Sequence, residues 1–199
     1  SRPKTMKINE IFYSIQGEGF YAGTPAIFVR FAQCNLNCAF CDTDFVRFTE
    51  MTEEEIVAEV CRIGNPATHV ILTGGEPSLQ VTASLCDKLH EAGKVIHIET
   101  NGTHAVAEGI DFITCSPKLE YCKHAELCVQ RIDELKVVFT GKNDMALYEN
   151  IQAQHYFLQP CDVGNDAENG RIIAATVGYC KANPKWNISV QIHKVLAIR

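Results

Sequence analysis

Three cysteines lie close together near the N-terminal end of the chain, with the spacing C-x3-C-x2-C. They are Cys34, Cys38 and Cys41, and the aromatic residue Phe40 directly precedes the last of them. Three thiolates can hold three irons of a cubane iron–sulfur cluster and leave the fourth iron without a protein ligand. A metal with an open coordination position can do chemistry, whereas a closed one holds structure together. The triplet therefore indicates a catalytic 4Fe-4S cluster.

A zinc site or simple burial could also account for these cysteines. Structural zinc usually takes C-x2-C pairs completed by a second pair or by histidines, and no second pair at that spacing follows. The chain has ten cysteines, of which several stand singly in apolar stretches and are expected to be small buried side chains in a reducing compartment. These are Cys61, Cys86, Cys115 and Cys180. The looser pair Cys122 and Cys128 is attributed to chance.

Length and composition indicate a single globular domain spanning residues 1–199, in which residues 1–5 are expected to be a tag or disordered. The chain has 199 residues, of which 46% are hydrophobic and 21% charged, the usual mix for a soluble protein. No apolar run is long enough to span a membrane, and the first residues lack the apolar core of a signal peptide, so a cytoplasmic protein is expected. The net charge of -6 argues against nucleic acid as a partner.

Strand-like and helix-like runs alternate along the chain, which predicts an α/β fold with a largely parallel sheet. Thr52 and Glu55 form a capping-box pattern that predicts a helix over residues 52–63. Further helices are predicted at 79–92, 143–153 and 168–182. Strands are predicted at 8–15, 26–32, 69–73, 95–99, 112–115, 135–140, 155–158 and 188–192.

Polar or glycine-rich segments follow the C-terminal ends of successive predicted strands. Besides the cysteine loop, these segments are residues 74–77 (GGEP), 100–103 (TNGT), 116–118 (SPK), 159–162 (QPCD) and 193–194 (HK). In full or partial parallel barrels the active site lies at this rim. One such segment is only a turn, but several in series predict a single pocket lined from many strands.

The cysteine spacing, together with residues 74–77, resembles the signature of the radical S-adenosylmethionine superfamily. The resemblance implies that Phe40 lies beside the adenine of the cofactor. It also implies that the backbone at Gly75 meets the amino group of the methionine moiety, for which glycine allows close approach. Taken alone, the two glycines at positions 74 and 75 are better explained by a tight turn between a strand and a helix.

A narrower resemblance runs from about residue 8 to the end of the sequence. The chain is similar to the 7-carboxy-7-deazaguanine synthase family in IQGEG at 15–19, Arg30, CDT at 41–43, ETNG at 99–102, SPK at 116–118, QPCD at 159–162 and QIHK at 191–194. The resemblance implies a partial, open TIM-like barrel of about six parallel strands with three core helices, paired as a homodimer. It also implies an electron donor of the flavodoxin or ferredoxin type.

The reaction implied by this resemblance is a ring contraction in the biosynthesis of queuosine and related 7-deazapurines. Reductive cleavage of S-adenosylmethionine at the cluster gives a 5′-deoxyadenosyl radical, which takes the hydrogen at C6 of 6-carboxy-5,6,7,8-tetrahydropterin. The ring then contracts with loss of ammonia and gives 7-carboxy-7-deazaguanine. The cofactor is regenerated, and Mg2+ assists.

The resemblance also assigns roles to individual residues. For the substrate these are Ile15, Gln16, Gly17, Glu18, Arg30, Thr73, His193 and Arg199. For S-adenosylmethionine they are Phe40, Cys41, Asp42, Gly75, Glu99, Asn101, Ser116, Pro117, Lys118, Gln159, Pro160, Cys161 and Asp162. The metal ligands are Cys34, Cys38 and Cys41 for the cluster and Thr43 for magnesium.

Some of these roles also follow from side-chain chemistry, and each has a simpler alternative. Arg30 can bind a carboxylate through two parallel hydrogen bonds; a surface ion pair is the alternative, but its neighbours are apolar and the cysteine loop follows. The hydroxyl of Thr43 suits magnesium, which prefers oxygen ligands, although an ordinary loop hydroxyl is an alternative. A lone histidine such as His193 is more often structural. Lys118 and Asp162 could bracket the ribose or methionine of the cofactor or form a solvated pair at the rim.

Two other functions remain open on the sequence. A glycyl-radical activating enzyme would use the same cluster on a protein partner, but residues 16–19, Arg30 and His193 favour a small carboxylated pterin. A zinc-binding interaction module would have no enzymatic role. A purely structural α/β domain gives no reason for polar segments at successive strand ends.

Overall fold

The computed structural model describes residues 2–36 and 47–199. The strands in this part of the chain are β1 (Thr5–Ile15), β2 (Pro25–Phe31), β3 (Thr49–Thr52), β4 (His69–Gly74), β5 (Val95–Thr100), β6 (Phe112–Cys115), β7 (Glu134–Phe139), β8 (His155–Pro160) and β9 (Asn187–Ile188). The helices are α1 (Glu53–Ile63), α2 (Ala83–Glu91), α3 (Asp166–Ala182) and the single turn α4 (Ile192–Val195).

The described strands form one open sheet in the order β3-β1-β2-β4-β5-β6-β7-β8-β9. All pairings from β2 to β9 are parallel, whereas β1 runs antiparallel to both β2 and β3. Six strands of four to seven residues, β2 and β4 to β8, make up the parallel part, and β9 adds two residues at its edge. This arrangement confirms the prediction of a partial barrel with about six parallel strands. No described helix is both long and apolar enough to cross a membrane.

The helices cover the outer side of the sheet and bury its apolar residues. α1 and α2 contact each other, and α2 packs on β5 over a core that includes Ile56, Leu85, Leu89 and Ile98, all 0% exposed. A second core lies where α3 packs on β8 and includes Leu158. Complete burial of an aliphatic side chain contributes about 1.5–3 kcal/mol, so these two cores hold the helices on the sheet. The alternate residues of the same strands face the opposite, concave side.

Side-chain caps determine where α1 and α2 begin. Thr52 Oγ1 accepts a hydrogen bond from the Glu55 backbone N–H at 3.2 Å, which confirms the predicted start of the first helix. The second helix was expected from residue 79, but α2 begins only at Ala83. A 3-10 turn occupies Pro77–Leu79, and Thr82 Oγ1 caps the helix by accepting from the Leu85 N–H at 3.0 Å.

The predicted helix over residues 143–153 is wrong. Only a 3-10 turn forms there, at Met145–Leu147. The side chain of Asn143 accepts a hydrogen bond from the Thr140 N–H at 2.8 Å, and its amide donates to Glu120 at 2.9 Å. Glu120 also accepts a 2.6 Å hydrogen bond from the buried Tyr148 hydroxyl. These contacts hold the segment in a loop conformation, and a continuous helix could form only if they were broken.

The predicted strand over residues 188–192 is also wrong in extent. β9 ends at Ile188, and the next residue, Ser189, donates its hydroxyl to Gln159 Oε1 at 2.9 Å. The Ile192 N–H then donates to the Gly17 carbonyl at 3.0 Å, where the chain turns into α4. The Ser189 hydroxyl and the Ile192 N–H therefore contact residues inside the barrel instead of pairing with a neighbouring strand.

The connection between β1 and β2, residues 16–24, crosses the concave side of the sheet and is called the interior loop below. The Gly19 N–H donates to Ser189 Oγ at 3.0 Å, and the Phe20 N–H donates to Glu134 Oε1 at 2.6 Å. Gly19 has a φ of +71°, and a Cβ there would lie 2.2 Å from the Glu134 carboxylate. Tyr21 packs edge-on against His97 with ring centroids 4.6 Å apart. The loop thus fills the barrel from within.

Candidate active site

A cavity of about 390 Å³ opens at the carboxyl ends of the parallel strands. Every described residue that the sequence assigned to substrate, cofactor or cluster lines this cavity, with the exception of Pro117, which is buried. The assigned residues Cys38, Phe40, Cys41, Asp42 and Thr43 lie outside the described part of the chain. Sequence reasoning missed four lining residues that lie within strands, namely Phe12, Phe28, Lys136 and Val138.

The deep part of the cavity is a hydrogen-bonded layer built by the interior loop and three strands. Gln16 Nε2 donates to Glu99 Oε1 at 3.0 Å, and Thr73 Oγ1 donates to Glu99 Oε2 at 3.0 Å. On the other side, Gln159 Nε2 donates to Glu18 Oε1. Glu99, which the resemblance assigned to the cofactor, therefore lies among residues assigned to the substrate.

Lys136 brings a buried positive charge into this layer. Its Nζ lies 3.8 Å from Glu18 Oε1, and its side chain is 8% exposed. Burial lowers the pKa of Lys136, but the carboxylates of Glu18, Glu99 and Glu134 outweigh burial and raise that pKa above its usual value. For Glu99, burial raises the pKa, while Lys136 and the hydrogen bonds from its neighbours reverse the effect and lower it overall. Lys136 and Glu99 therefore stabilise each other's charged forms.

Glu10, on β1, links two arginines at one side of the cavity. Arg30 Nε donates to Glu10 Oε1 at 3.0 Å, and Arg199 contacts the other oxygen of the same carboxylate. The Arg199 guanidinium lies 4.7 Å above the Phe12 ring, which stacks on Phe28 with centroids 5.1 Å apart. The pairing of Arg30 within the barrel could not be foreseen because Glu10 precedes it by 20 residues.

Residues 75 and 76 contact the backbone of the segment that precedes Cys34. The Gly75 N–H donates to the Phe31 carbonyl at 2.8 Å, and the Glu76 N–H donates to the Gln33 carbonyl at 2.5 Å. A Cβ on Gly75 would lie 2.2 Å from the Gln33 carbonyl oxygen, so glycine is needed for the approach of two backbone segments. This contact fixes the chain directly before Cys34.

The described surroundings of Cys34 fit a cluster ligand. Cys34 lines the cavity, and its sulfur accepts a hydrogen bond from the Leu36 N–H at 3.4 Å, the kind of contact that stabilises a cluster thiolate. The next residue, Asn35, accepts from Asn101 Nδ2 at 3.2 Å and donates to Thr103 Oγ1 at 3.0 Å. The segment after β5 thereby positions the start of the cysteine loop.

Glu76 connects two of the polar segments that line the cavity. Its carboxylate accepts hydrogen bonds from Thr100 Oγ1 at 2.5 Å and from the Asn101 N–H at 2.7 Å. The side chain is buried, with 1% of the residue exposed. It therefore sets the relative position of the ends of β4 and β5.

Lys118 and Asp162, expected to bracket the cofactor, each have local partners at the rim. Lys118 Nζ donates to the Ser116 carbonyl and hydroxyl, both at 2.9 Å. Asp162 pairs with Lys194 at 2.9 Å, and this hydrogen bond, with those from Gly164 and Asn169, lowers the pKa of Asp162. The rim pair is therefore Asp162 with Lys194, and both residues line the cavity.

His193 reaches the cavity from α4 and not directly from a strand end. A Cβ on Gly17 would lie 2.0 Å from His193 Nδ1, so the interior loop and the imidazole are in close contact. The glycine at this position lets the histidine approach the layer formed by Gln16 and Glu18.

A sequence model of the Radical SAM superfamily matches residues 28–117, which include the first cysteine of the triplet and the GGEP segment. The fold and the cavity at its strand ends are those of this class of enzyme. The chain belongs, more narrowly, to the 7-carboxy-7-deazaguanine synthases. It is 52% identical to the 7-carboxy-7-deazaguanine synthase of Bacteroides thetaiotaomicron over 193 residues, which cover 97% of this chain and 98% of the relative.

Further comparisons agree with this family. The 7-carboxy-7-deazaguanine synthase of Bradyrhizobium diazoefficiens is 39% identical and aligns over 96% of this chain and 98% of its own length. The crystal structure of QueE from Escherichia coli superimposes with a TM-score of 0.78 at 28% identity, covering 94% of both chains. Of the functions left open by the sequence, the relatives support the deazaguanine synthase and not an activating enzyme or a zinc module.

Proposed function

We propose that this chain converts 6-carboxy-5,6,7,8-tetrahydropterin to 7-carboxy-7-deazaguanine with loss of ammonia. The observation that carries the proposal is the shared cavity. Residues from the interior loop, from five parallel strands and from α4 line one space together with Cys34. Its volume of about 390 Å³ lies within the range for small-molecule sites. Membership of the family supplies the reaction.

Two ends of the cavity suit two ends of the pterin. Arg30 would bind the substrate carboxylate, since a guanidinium can donate two parallel hydrogen bonds to it. In the absence of the substrate its charge is balanced by Glu10 at 3.0 Å. Gln16, Glu18 and Thr73 would bind the ring, as would Glu99 in view of its hydrogen bonds to Gln16 and Thr73.

Cys34, Cys38 and Cys41 would hold the 4Fe-4S cluster, and Thr43 would provide an oxygen ligand for Mg2+. When bound, the cluster and S-adenosylmethionine supply the radical that starts the reaction. Gly75, Asn101 and the segments 116–118 and 159–162 would bind S-adenosylmethionine, because they line the same cavity as Cys34 or belong to segments that do. Glu76 would hold the wall of that cavity in place through its contacts with Thr100 and Asn101.

The proposed enzyme acts in the cytoplasm on a small molecule, with a flavodoxin- or ferredoxin-type protein as electron donor and without nucleic-acid or membrane partners. A reducing compartment agrees with the eight described cysteines, none of which forms a disulfide within the described part of the chain. The proposed assembly is a homodimer, for which light scattering after size exclusion is the test.

Anaerobic turnover tests the proposal. The reconstituted protein is incubated with a reductant, S-adenosylmethionine, magnesium and the carboxylated tetrahydropterin. Mass spectrometry is expected to show the product with loss of ammonia, and iron analysis is expected to give about four irons per chain. Cleavage of the cofactor with an unchanged pterin would contradict the proposal, as would stoichiometric zinc without iron–sulfur absorbance.

A further inference from the structure

Lys136 is a buried ammonium group for which neither the motifs nor the family comparison provides a role. It is the third residue of β7 and lines the deep part of the cavity. Only 8% of its side chain is exposed, which is unusual for lysine. A buried cation persists only where anions compensate for its lost hydration.

Its nearest charges come from three different parts of the fold. Glu18 on the interior loop lies 3.8 Å away, an ion-pair distance longer than a hydrogen bond. Glu99 on β5 and Glu134 on the same strand as Lys136 are the other anions that act on it. Beyond these, Arg30 on β2 acts on Glu99, and His193 on α4 faces the same cavity.

Glu134 does not line the cavity, and its carboxylate already accepts hydrogen bonds from two neighbouring residues. Its carboxylate accepts hydrogen bonds from the Phe20 N–H at 2.6 Å and from Thr114 Oγ1 at 2.8 Å. Burial raises the pKa of Glu134 in spite of Lys136. Among the three anions around the lysine, Glu18 and Glu99 are therefore the two that line the ligand space.

Both carboxyl groups accept hydrogen bonds from neighbouring side chains. Gln16 and Thr73 each donate to a different oxygen of Glu99, and Gln159 donates to Glu18. An ionised carboxylate only accepts hydrogen bonds and has several lone pairs, so capacity remains for the N–H groups of a ligand. A protonated carboxyl would instead present a donor and lose this match.

We propose that Lys136 is a positioning residue whose buried ammonium balances the charges of Glu18 and Glu99, so that the two carboxylates together accept the N–H groups of an aminopyrimidinone edge. The inference rests on the proposed function, whose pterin has such an edge. It assigns the two ends of the cavity opposite charge requirements. Arg30 takes an anionic carboxylate, whereas the end at Lys136 takes a neutral ring that donates hydrogen bonds.

The test is ligand binding as a function of pH, measured without turnover. The protein carrying its cluster and S-adenosylmethionine is kept anaerobic and without reductant, and 6-carboxy-5,6,7,8-tetrahydropterin is titrated by calorimetry at pH 6, 7.5 and 9. Lys136→Met removes the positive charge that most strongly opposes the effect of burial on the pKa of Glu99. Burial then raises this pKa, so the Glu99 carboxyl binds a proton as the pH falls. Affinity is expected to drop about tenfold or more from pH 9 to pH 6. Wild-type affinity is expected to change less than about threefold over that range.

Matched variants separate the lysine from other sources of pH dependence. Lys88→Met removes an ammonium that pairs with Glu53 at 2.6 Å on the outer helices, and it should follow the wild-type profile. Repeating both profiles in the His193→Gln background removes the nearby imidazole. If Lys136→Met fails to fold by circular dichroism, Lys136→Met/Glu134→Gln buries one anion fewer and should show the same pH-dependent loss.

These titrations separate failure of the proposed role of Lys136 from failure of the proposed function. An equal loss of affinity at every pH, or a profile parallel to that of the wild type, overturns the role of Lys136. Unfolding of both lysine variants also overturns it, since the ammonium would then serve the fold itself. Wild-type protein that neither binds nor converts the pterin at any pH contradicts the proposed function, and the inference fails with it.

Discussion

Gln16 and Glu99 are 83 residues apart in the sequence, yet Gln16 Nε2 donates to Glu99 Oε1 at 3.0 Å. One residue belongs to a loop that crosses the inside of the barrel and the other to a central strand. Because Thr73 holds the second oxygen of the same carboxylate at 3.0 Å, the orientation of Glu99 is fixed before any ligand arrives. A rigid acceptor of this kind avoids the entropy cost of ordering side chains on binding.

Replacement of Arg30 should weaken binding of the substrate without loss of the cluster. Arg30→Ala removes a charge-assisted contact to the carboxylate, which is expected to lower affinity by about 10- to 150-fold, or about 1.5–3 kcal/mol. Calorimetric titration measures the change, and iron content reports on the cluster. Arg62→Ala is the control, since Arg62 forms an exposed pair with Glu59 on α1 at 2.6 Å. Loss of iron in Arg30→Ala would point to a structural role for the arginine.

Loss of Cys34 should prevent assembly of the cluster. Cys34→Ala leaves two of the three proposed ligands, so iron content should fall well below the wild-type value and the absorbance of the cluster should be lost. Cys61→Ala is matched to it, because Cys61 is an exposed thiol on α1, and the prediction from the sequence that it is buried was wrong. A Cys34→Ala protein with full iron content would show that this cysteine is not a ligand.

Two glycine substitutions should change stability in opposite directions. In Gly75→Ala the new methyl would lie 2.2 Å from the Gln33 carbonyl oxygen, so the backbone before Cys34 must move at a cost of about 1–3 kcal/mol. Gly170→Ala, inside α3 with no atom within 4 Å of the new methyl, should add about 0.5–1 kcal/mol. Urea unfolding measures both. Equal effects from the two substitutions would contradict the close approach at Gly75.

His97 should make the fold less stable in mild acid. Burial, followed by the neighbouring His69, lowers the pKa of His97 from 6.5 to about 4. The unfolded chain therefore takes up a proton below pH 6.5 that the folded chain refuses down to about pH 4. The stabilisation is complete above pH 6.5 and decreases as the pH falls, by about 2 kcal/mol between pH 6.5 and pH 5.

Urea unfolding at pH 7 and pH 5 measures this loss. His97→Phe places a neutral ring against Tyr21 and Phe112, so its stability should depend less on pH than that of the wild type. His124→Gln, at an exposed histidine, should retain the wild-type dependence. The assignment to His97 fails if the Phe variant loses as much stability as the wild type.

Local sequence patterns correctly predicted elements that are stabilised by contacts between residues close together in the sequence. The cap of Thr52 on α1 needs only a residue three positions away. The helix expected at 143–153 failed because Glu120, more than 20 residues earlier, binds Asn143 and Tyr148. No periodicity within the segment contains that information.

For the candidate site, too, the sequence predicted only the features that do not depend on contacts between distant residues. Strand-end segments indicated where the cavity lies, since this depends on the general geometry of parallel strands. Glu10, Glu134 and Lys136 were missed because charged residues within a strand are normally assigned to solvent. Alternation of Glu134, Lys136 and Val138 on one face of a buried strand was the available signal, and it required knowing that this face encloses a cavity.

The interior loop has a consequence for how the protein is made. Its residues leave the ribosome early, but Gly19 needs the hydroxyl of Ser189, and Gly17 accepts a hydrogen bond from the Ile192 N–H. Contacts so distant in sequence slow folding, because long segments must be ordered before they can form. The barrel interior is therefore completed only after the segment that carries Ser189 and Ile192 has been synthesised, and until then the interior loop lacks contacts that hold it on the concave side of the sheet.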